Sequence, residues 1–115
     1  MLTAYTVLRP DGTREEGSVD WPREPTFEQI KALVGPHLNG DPLEHVTVLH
    51  QGQRTDMFVS EYGHLARAGR GPLPRNDAAT TTYRAAWLST HPGDNPESMP
   101  FIAGPAILFD RRVWF

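Results

Sequence analysis

No cysteine occurs in the 115 residues. That absence excludes a disulfide frame, a thiolate metal cluster and a cysteine nucleophile. Long apolar runs are missing too: nothing approaches the roughly 20 residues a membrane helix needs, and Met1-Leu2-Thr3-Ala4 has neither the charged nor the apolar region of a signal peptide. A cytoplasmic protein with no membrane contact is the expectation. Charge of one sign is also scarce, the net charge being only −3, whereas a generic nucleic-acid binder concentrates positive charge to neutralise phosphates. Residues 1 to 61 hold ten acids against five bases, and residues 62 to 115 hold four acids against six bases. The only acid-free basic stretch lies between Glu61 and Asp77 and carries Arg67, Arg70 and Arg75, so generic nucleic-acid binding is not expected.

What is present suffices for one core. Hydrophobic residues make up 38% of the chain, with three Trp, three Tyr and five Phe, enough bulky apolar material to offset chain entropy. The length suits one two-layer unit, so residues 1–115 read as a single domain. The 11 Pro and 10 Gly demand many turns and keep the regular elements short.

Residues Ala4 to Leu8 form a β-prone run that ends at Pro10-Asp11-Gly12, which is turn chemistry, and a second strand from Glu15 to Trp21 completes a hairpin. Thr26 with Gln29 three residues later is a capping box, and Phe27, Ile30, Leu33 and Val34 make one apolar stripe on the helix it opens; Gly35-Pro36 stops it. His45 to His50, the turn Gln51-Gly52-Gln53 and Asp56 to Ser60 read as a second hairpin. Asn76 or Asp77 caps a second helix with Ala79, Tyr83, Ala86 and Trp87 on one face. Ser89 to Pro100 is a long loop, and Pro105 to Phe109 a last strand. The order β-β-α-β-β-α-β implies an α+β domain: a mixed or antiparallel sheet of four to five strands with two helices packed on it, on one face.

Few residues gather into chemistry. His45 and His50 sit five apart on one strand and so face opposite ways, and His37, His64 and His91 lack ligand spacing, which argues against a metal site. No G-x-S-x-G marks a hydrolase. Asp56 and Glu61 could form a carboxylate pair for acid–base work across a strand end, but two acids near a turn are ordinarily a solvated edge; Glu61 with His64 is a further acid–base pairing. The segment Ala66 to Gly71 lacks the G-x-x-x-x-G-K-[ST] pattern, so no cofactor is expected. Its arginines and the free amides that Asn76 and Asp77 leave at the helix start nonetheless suit an anion; a solvated loop is the plain alternative. Arg111-Arg112-Val113-Trp114-Phe115 either closes the core as a final strand or offers a sticky patch for a partner or a second copy.

Several blocks, in order, resemble a known family: Val34-Gly35 after an amphipathic helix, His45-Val46 opening a strand, Met57 to Gly63, Leu73-Pro74-Arg75-Asn76-Asp77-Ala78-Ala79-Thr80, and Ile102-Ala103-Gly104 before an apolar strand. They are similar to an uncharacterised family of small phage, plasmid and bacterial proteins, a domain of unknown function patterned as V-G-G, I-E-x-V, N-E-x-G, L-P-x-N-x-x-A-T and I-x-G. Ser60 stands where the family has Asn, Pro36 replaces the second Gly, and Ser89 to Pro100 looks inserted. The resemblance implies a mobile-element or accessory role and no reaction.

The expectation is a non-enzymatic accessory or binding protein acting through a protein partner or self-association, with Glu61, Tyr62, Arg111, Arg112 and Trp114 as the partner surface. The alternative is a binder of a nucleotide or other phosphate-bearing ligand through Arg67, Arg70, Arg75, Asn76 and Asp77.

Overall fold

In the computed structural model, which describes residues 2–66 and 70–114, two hairpins come first. Strands β1 (Leu2–Leu8) and β2 (Arg14–Asp20) pair antiparallel, Leu2 opposite Asp20 and Leu8 opposite Arg14. The Pro-Asp-Gly turn forms as expected: the Gly12 N–H donates to the Arg9 carbonyl at 3.0 Å, and the Asp11 carboxylate accepts from the Thr13 hydroxyl at 2.7 Å and the Thr13 N–H at 2.9 Å. Those two donors, the hydroxyl foremost, hold the Asp11 carboxyl below the ordinary aspartate range, because hydrogen bonds to the charged form favour it.

Helix α1 (Phe27–Val34) carries the full capping box, Gln29 N–H on Thr26 Oγ1 at 3.2 Å and Thr26 N–H on Gln29 Oε1 at 2.9 Å. A 3-10 turn at Gly35–His37 follows and drops Leu38 into the core. Strands β3 (Leu43–His50) and β4 (Gln53–Ser60) then pair through the two-residue turn Gln51-Gly52, whose φ values of 52° and 78° match the type I′ hairpin. Helix α2 (Asp77–Thr90) is capped by Asn76 and runs two residues into the expected Ser89–Pro100 loop. That loop holds its own 3-10 turn at Pro96–Ser98 and is tied down by Arg84, whose Nη2 donates to the Met99 carbonyl at 3.0 Å. Strand β5 (Ala106–Phe109) ends the regular structure.

The sheet has five strands in the order β2-β1-β5-β4-β3, every pair antiparallel. β5 is last in sequence and central in space, joining the two hairpins. This is the α+β single domain expected, with one difference: the helices lie on opposite faces of the sheet. Ile30 and Val34 of α1 pack with Val7, Phe58, Ile107 and Phe109, while Ala79 of α2 packs with Leu8, Met57, Val59, Ala106 and Leu108. Alternate residues of β4 and β5 thus feed two separate cores, which requires unbroken apolar runs rather than alternation.

Phe109 anchors the α1 face. Trp21 stacks on it at 5.9 Å, and Phe58 meets it edge-on at 5.7 Å; burying each such ring is worth about 2 to 3 kcal/mol. Beside them lies a buried carboxylate, Asp56, on β4. It accepts the N–H groups of Val113 at 2.6 Å and Trp114 at 2.8 Å, and its other oxygen is hydrogen-bonded to His45 Nε2 at 2.7 Å. Residues 111–114 therefore close the core, as one of the two expectations had it, but not as a strand. Asp56 satisfies the backbone donors that a neighbouring strand would otherwise take. Val113 is buried, and the Trp114 ring sits on His45 at 5.7 Å and edge-on to Phe27 at 5.6 Å. Arg111 clasps the start of β1, Nε donating to the buried Thr3 hydroxyl at 2.8 Å.

Replacing Asp56 by Ala strands two amide donors and should cost about 3 kcal/mol, since each buried unsatisfied group costs about 1 to 3 kcal/mol. Urea unfolding checks this, and hydrogen exchange should speed first at Val113 and Trp114. An NMR titration should place Asp11 below the usual aspartate midpoint and move it part of the way back in Thr13→Val, which keeps the backbone donor; the depressed value means that this carboxylate stabilises the fold above the unfolded pKa and ceases to as pH falls through the folded one.

Candidate binding cleft

At the end of the sheet where β4 stops and β5 begins, the chain runs through a turn and a long connection before α2. Three backbone hydrogen bonds, two of them forming one antiparallel bridge, lash that connection together. Leu73 N–H donates to the Gly63 carbonyl, Gly104 N–H to Pro74 and Asn76 N–H to Ile102, all at 2.8 Å, and Arg75 bridges to Ala103. Gly63 permits the closest approach, since a Cβ there would lie 2.5 Å from the Ala103 carbonyl oxygen. Only glycine lets the Glu61–His64 turn press against residues 102–103.

That approach leaves a cleft of about 170 Å³ between the turn, β3, α2 and the Pro100–Ala103 segment. Val46 and Val59 form an apolar floor, Tyr83 of α2 and Phe101 supply aromatic walls, and Glu44 and Glu61 stand at the polar margin. Phe101 is partly exposed; His64 meets it edge-on at 4.7 Å, and the Arg75 guanidinium lies over its ring at 5.4 Å. Both glutamates are exposed, and among the described residues neither carboxylate makes a hydrogen bond or ion pair. Glu61 and His64, the acid–base pairing read from the sequence, line the same cleft, yet no hydrogen bond joins them.

The expected anion loop divides. Arg67 lies outside the described residues. Arg70 turns inward: its Nη2 pairs with Asp41 at 2.5 Å, and its Nη1 donates to the Leu65 and Gly71 carbonyls at 3.1 and 3.0 Å. Asp41 also accepts from the Ser60 hydroxyl, so this arginine braces the connection against the start of β3. Arg75 pairs with Asp77 at 3.0 Å besides covering Phe101. Asn76 is fully buried and fully committed, donating from Nδ2 to the Leu8 and Gly104 carbonyls at 2.9 Å each and accepting the Ala79 N–H at 3.1 Å.

The expected partner surface divides as well. Glu61 and Tyr62 sit at the cleft end of the sheet, whereas Arg111 and Arg112 leave β5 at the other end, and Trp114 is packed on the α1 face. Of the remaining histidines, His91 stacks on Trp87 at 4.0 Å. No group of three or more His, Asp or Glu is placed to hold a metal ion among the described residues, and no helix there is long and apolar enough to cross a membrane.

Sequence reasoning reached Glu61 and His64 but passed over Phe101, Tyr83 and Glu44 as a group. The available signal was Phe101, a large aromatic isolated in a loop of Pro, Ser and Asn. Comparison with models of known protein families, with curated proteins and with solved structures finds no match, so geometry alone carries the reading.

Replacing Arg70 by Ala removes one ion pair from the nearly buried Asp41 carboxylate and should lower stability by about 2 kcal/mol in urea unfolding, less than a fully buried pair would lose because Arg70 is partly solvated. The exposed Arg75→Ala change should stay within about 0.5 kcal/mol of the parent.

Proposed function

We propose that this is a non-enzymatic accessory binding protein, of the phage- and plasmid-borne kind its sequence blocks resemble, acting through a protein partner or self-association. The cleft beside Glu61 is its partner site. The observation that carries this reading is the pairing of partly exposed aromatic surface at Phe101 and Tyr83 with two carboxylates, Glu44 and Glu61, that have no partner among the described residues. Such a pocket complements an arginine or lysine side chain on an extended segment: the alkyl stem lies on the aromatic walls while the charged head meets the carboxylates. A cytoplasmic setting agrees with this role.

NMR titration with short arginine- and lysine-containing peptides tests the reading. Shifts should concentrate at Glu44, Val59 to His64, Tyr83 and Phe101 to Ala103, and the Glu44→Gln/Glu61→Gln variant should bind about tenfold more weakly. Equal response to acidic peptides, or none to cationic ones, overturns it. Inorganic phosphate in the same spectra examines the alternative, a phosphate-bearing ligand at residues 67–77, whose shifts would fall on Arg75 and the first turn of α2 instead.

A further inference from the structure

Both outer strands of the sheet have one unpaired edge, and the two edges differ in chemistry. β2 carries Arg14, Glu15, Glu16 and Gly17 in succession, the charge and glycine that keep an edge from templating another strand. β3 has much less of this protection, its one formally charged side chain being Glu44 near the start. Over its eight residues, Leu43 to His50, it holds no Pro, Gly, Lys or Arg, and Val46, Thr47 and Val48 give it strong strand character.

The turn fixes which backbone groups of β3 face outward. In a two-residue hairpin the residues flanking the turn form a hydrogen-bonded pair, here His50 with Gln53, and such pairs recur at every second residue. Glu44, Val46, Val48 and His50 therefore direct their N–H and C=O groups to β4. The Glu61 N–H on the Pro42 carbonyl at 2.9 Å continues the same phase. The groups of His45, Thr47 and Leu49 point away from the sheet, and no backbone partner for them is found among the described residues.

We infer that β3 pairs with β3 of a second copy, antiparallel about a two-fold axis at Thr47, to make one continuous ten-stranded sheet. The outward phase requires odd residues to meet odd ones. Centring on Thr47 pairs His45 with Leu49 of the second copy, and the intervening positions become the closely approaching non-hydrogen-bonded pairs. Those are Val46 with Val48, and Glu44 with His50. An acid thus meets an imidazole at both ends of the interface, and valines meet valines within it. Shifting the axis by one position, to Val46, breaks both Glu44–His50 pairs and sets Pro42 opposite His50. The strand is complementary to itself in one register. This inference adds a second copy to the binding reading at an edge that shares Glu44 and Val46 with the cleft but not its walls at Phe101 and Tyr83, and it stands whether or not the cleft takes a cationic segment.

Sedimentation velocity over a concentration series, with hydrogen exchange, tests it. The parent chain should show a concentration-dependent dimer, with the amides of His45, Thr47 and Leu49 gaining protection as it forms. Thr47→Pro removes an outward N–H that β4 does not use, and should abolish the dimer while leaving a folded monomer by circular dichroism. His50→Glu sets acid against acid and should weaken association at least about tenfold; Glu44→Lys with His50→Glu should restore it. A parent that sediments as a monomer at every concentration overturns the inference, as does a dimer that survives both Thr47→Pro and His50→Glu. Phe101→Ala serves as the cross-check: it should abolish peptide binding at the cleft and leave the dimer unchanged, so failure of one reading is distinguishable from failure of the other.

Discussion

One carboxylate, Asp56, organises the α1 face. A buried acid is costly unless its oxygens are occupied, and here two backbone amides and an imidazole occupy them. The consequence runs outward from that point. Because Asp56 takes the amides of Val113 and Trp114, the residues after β5 turn back over the sheet. Trp114 can then cover His45 and Phe58 and meet Phe27 of α1. The aromatic lid, the docking of α1 and the burial of Val113 all follow from where one side chain sits on β4.

The opposite face has its own polar organiser. Asn76 is as deeply buried as Asp56, and its amide bridges the ends of β1 and the segment before β5 while its oxygen caps α2. Each helix is thereby coupled to the sheet by a satisfied buried polar group as well as by apolar packing, a device that fixes one arrangement where hydrophobic contact alone tolerates several. The same commitment removes Asn76 from ligand chemistry. Arg70 follows suit by pairing with Asp41, while the acidic and aromatic cleft stays open to solvent at this end of the sheet.

Local signals were legible in the sequence wherever a short-range rule governs. Thr26 with Gln29, Pro10-Asp11-Gly12, Gln51-Gly52 and Asn76 all lie where cap and turn chemistry puts them, because each acts on backbone groups two or three residues away. Long-range facts were not. That α1 and α2 lie on opposite faces depends on β5 being central, and the hint was the run Ile107-Leu108-Phe109, which lacks the alternation of a one-faced strand. The role of Asp56 was hidden because an aspartate at a strand start looks like a solvated edge until the distant tail is seen to reach it. Arg70 read as a surface cation for the same reason: its partner, Asp41, lies 29 positions away.

The central position of β5 also shapes how the chain reaches its native state. Each hairpin closes from contacts near in sequence, yet neither holds a complete core face, because Ile107, Leu108 and Phe109 belong to both. β5 must find β1 across about a hundred residues of chain, and such distant pairings slow folding through the entropy of closing large loops. Two preformed hairpins waiting for one short strand make the sheet a single cooperative unit, in which loss of four residues unfastens both halves at once.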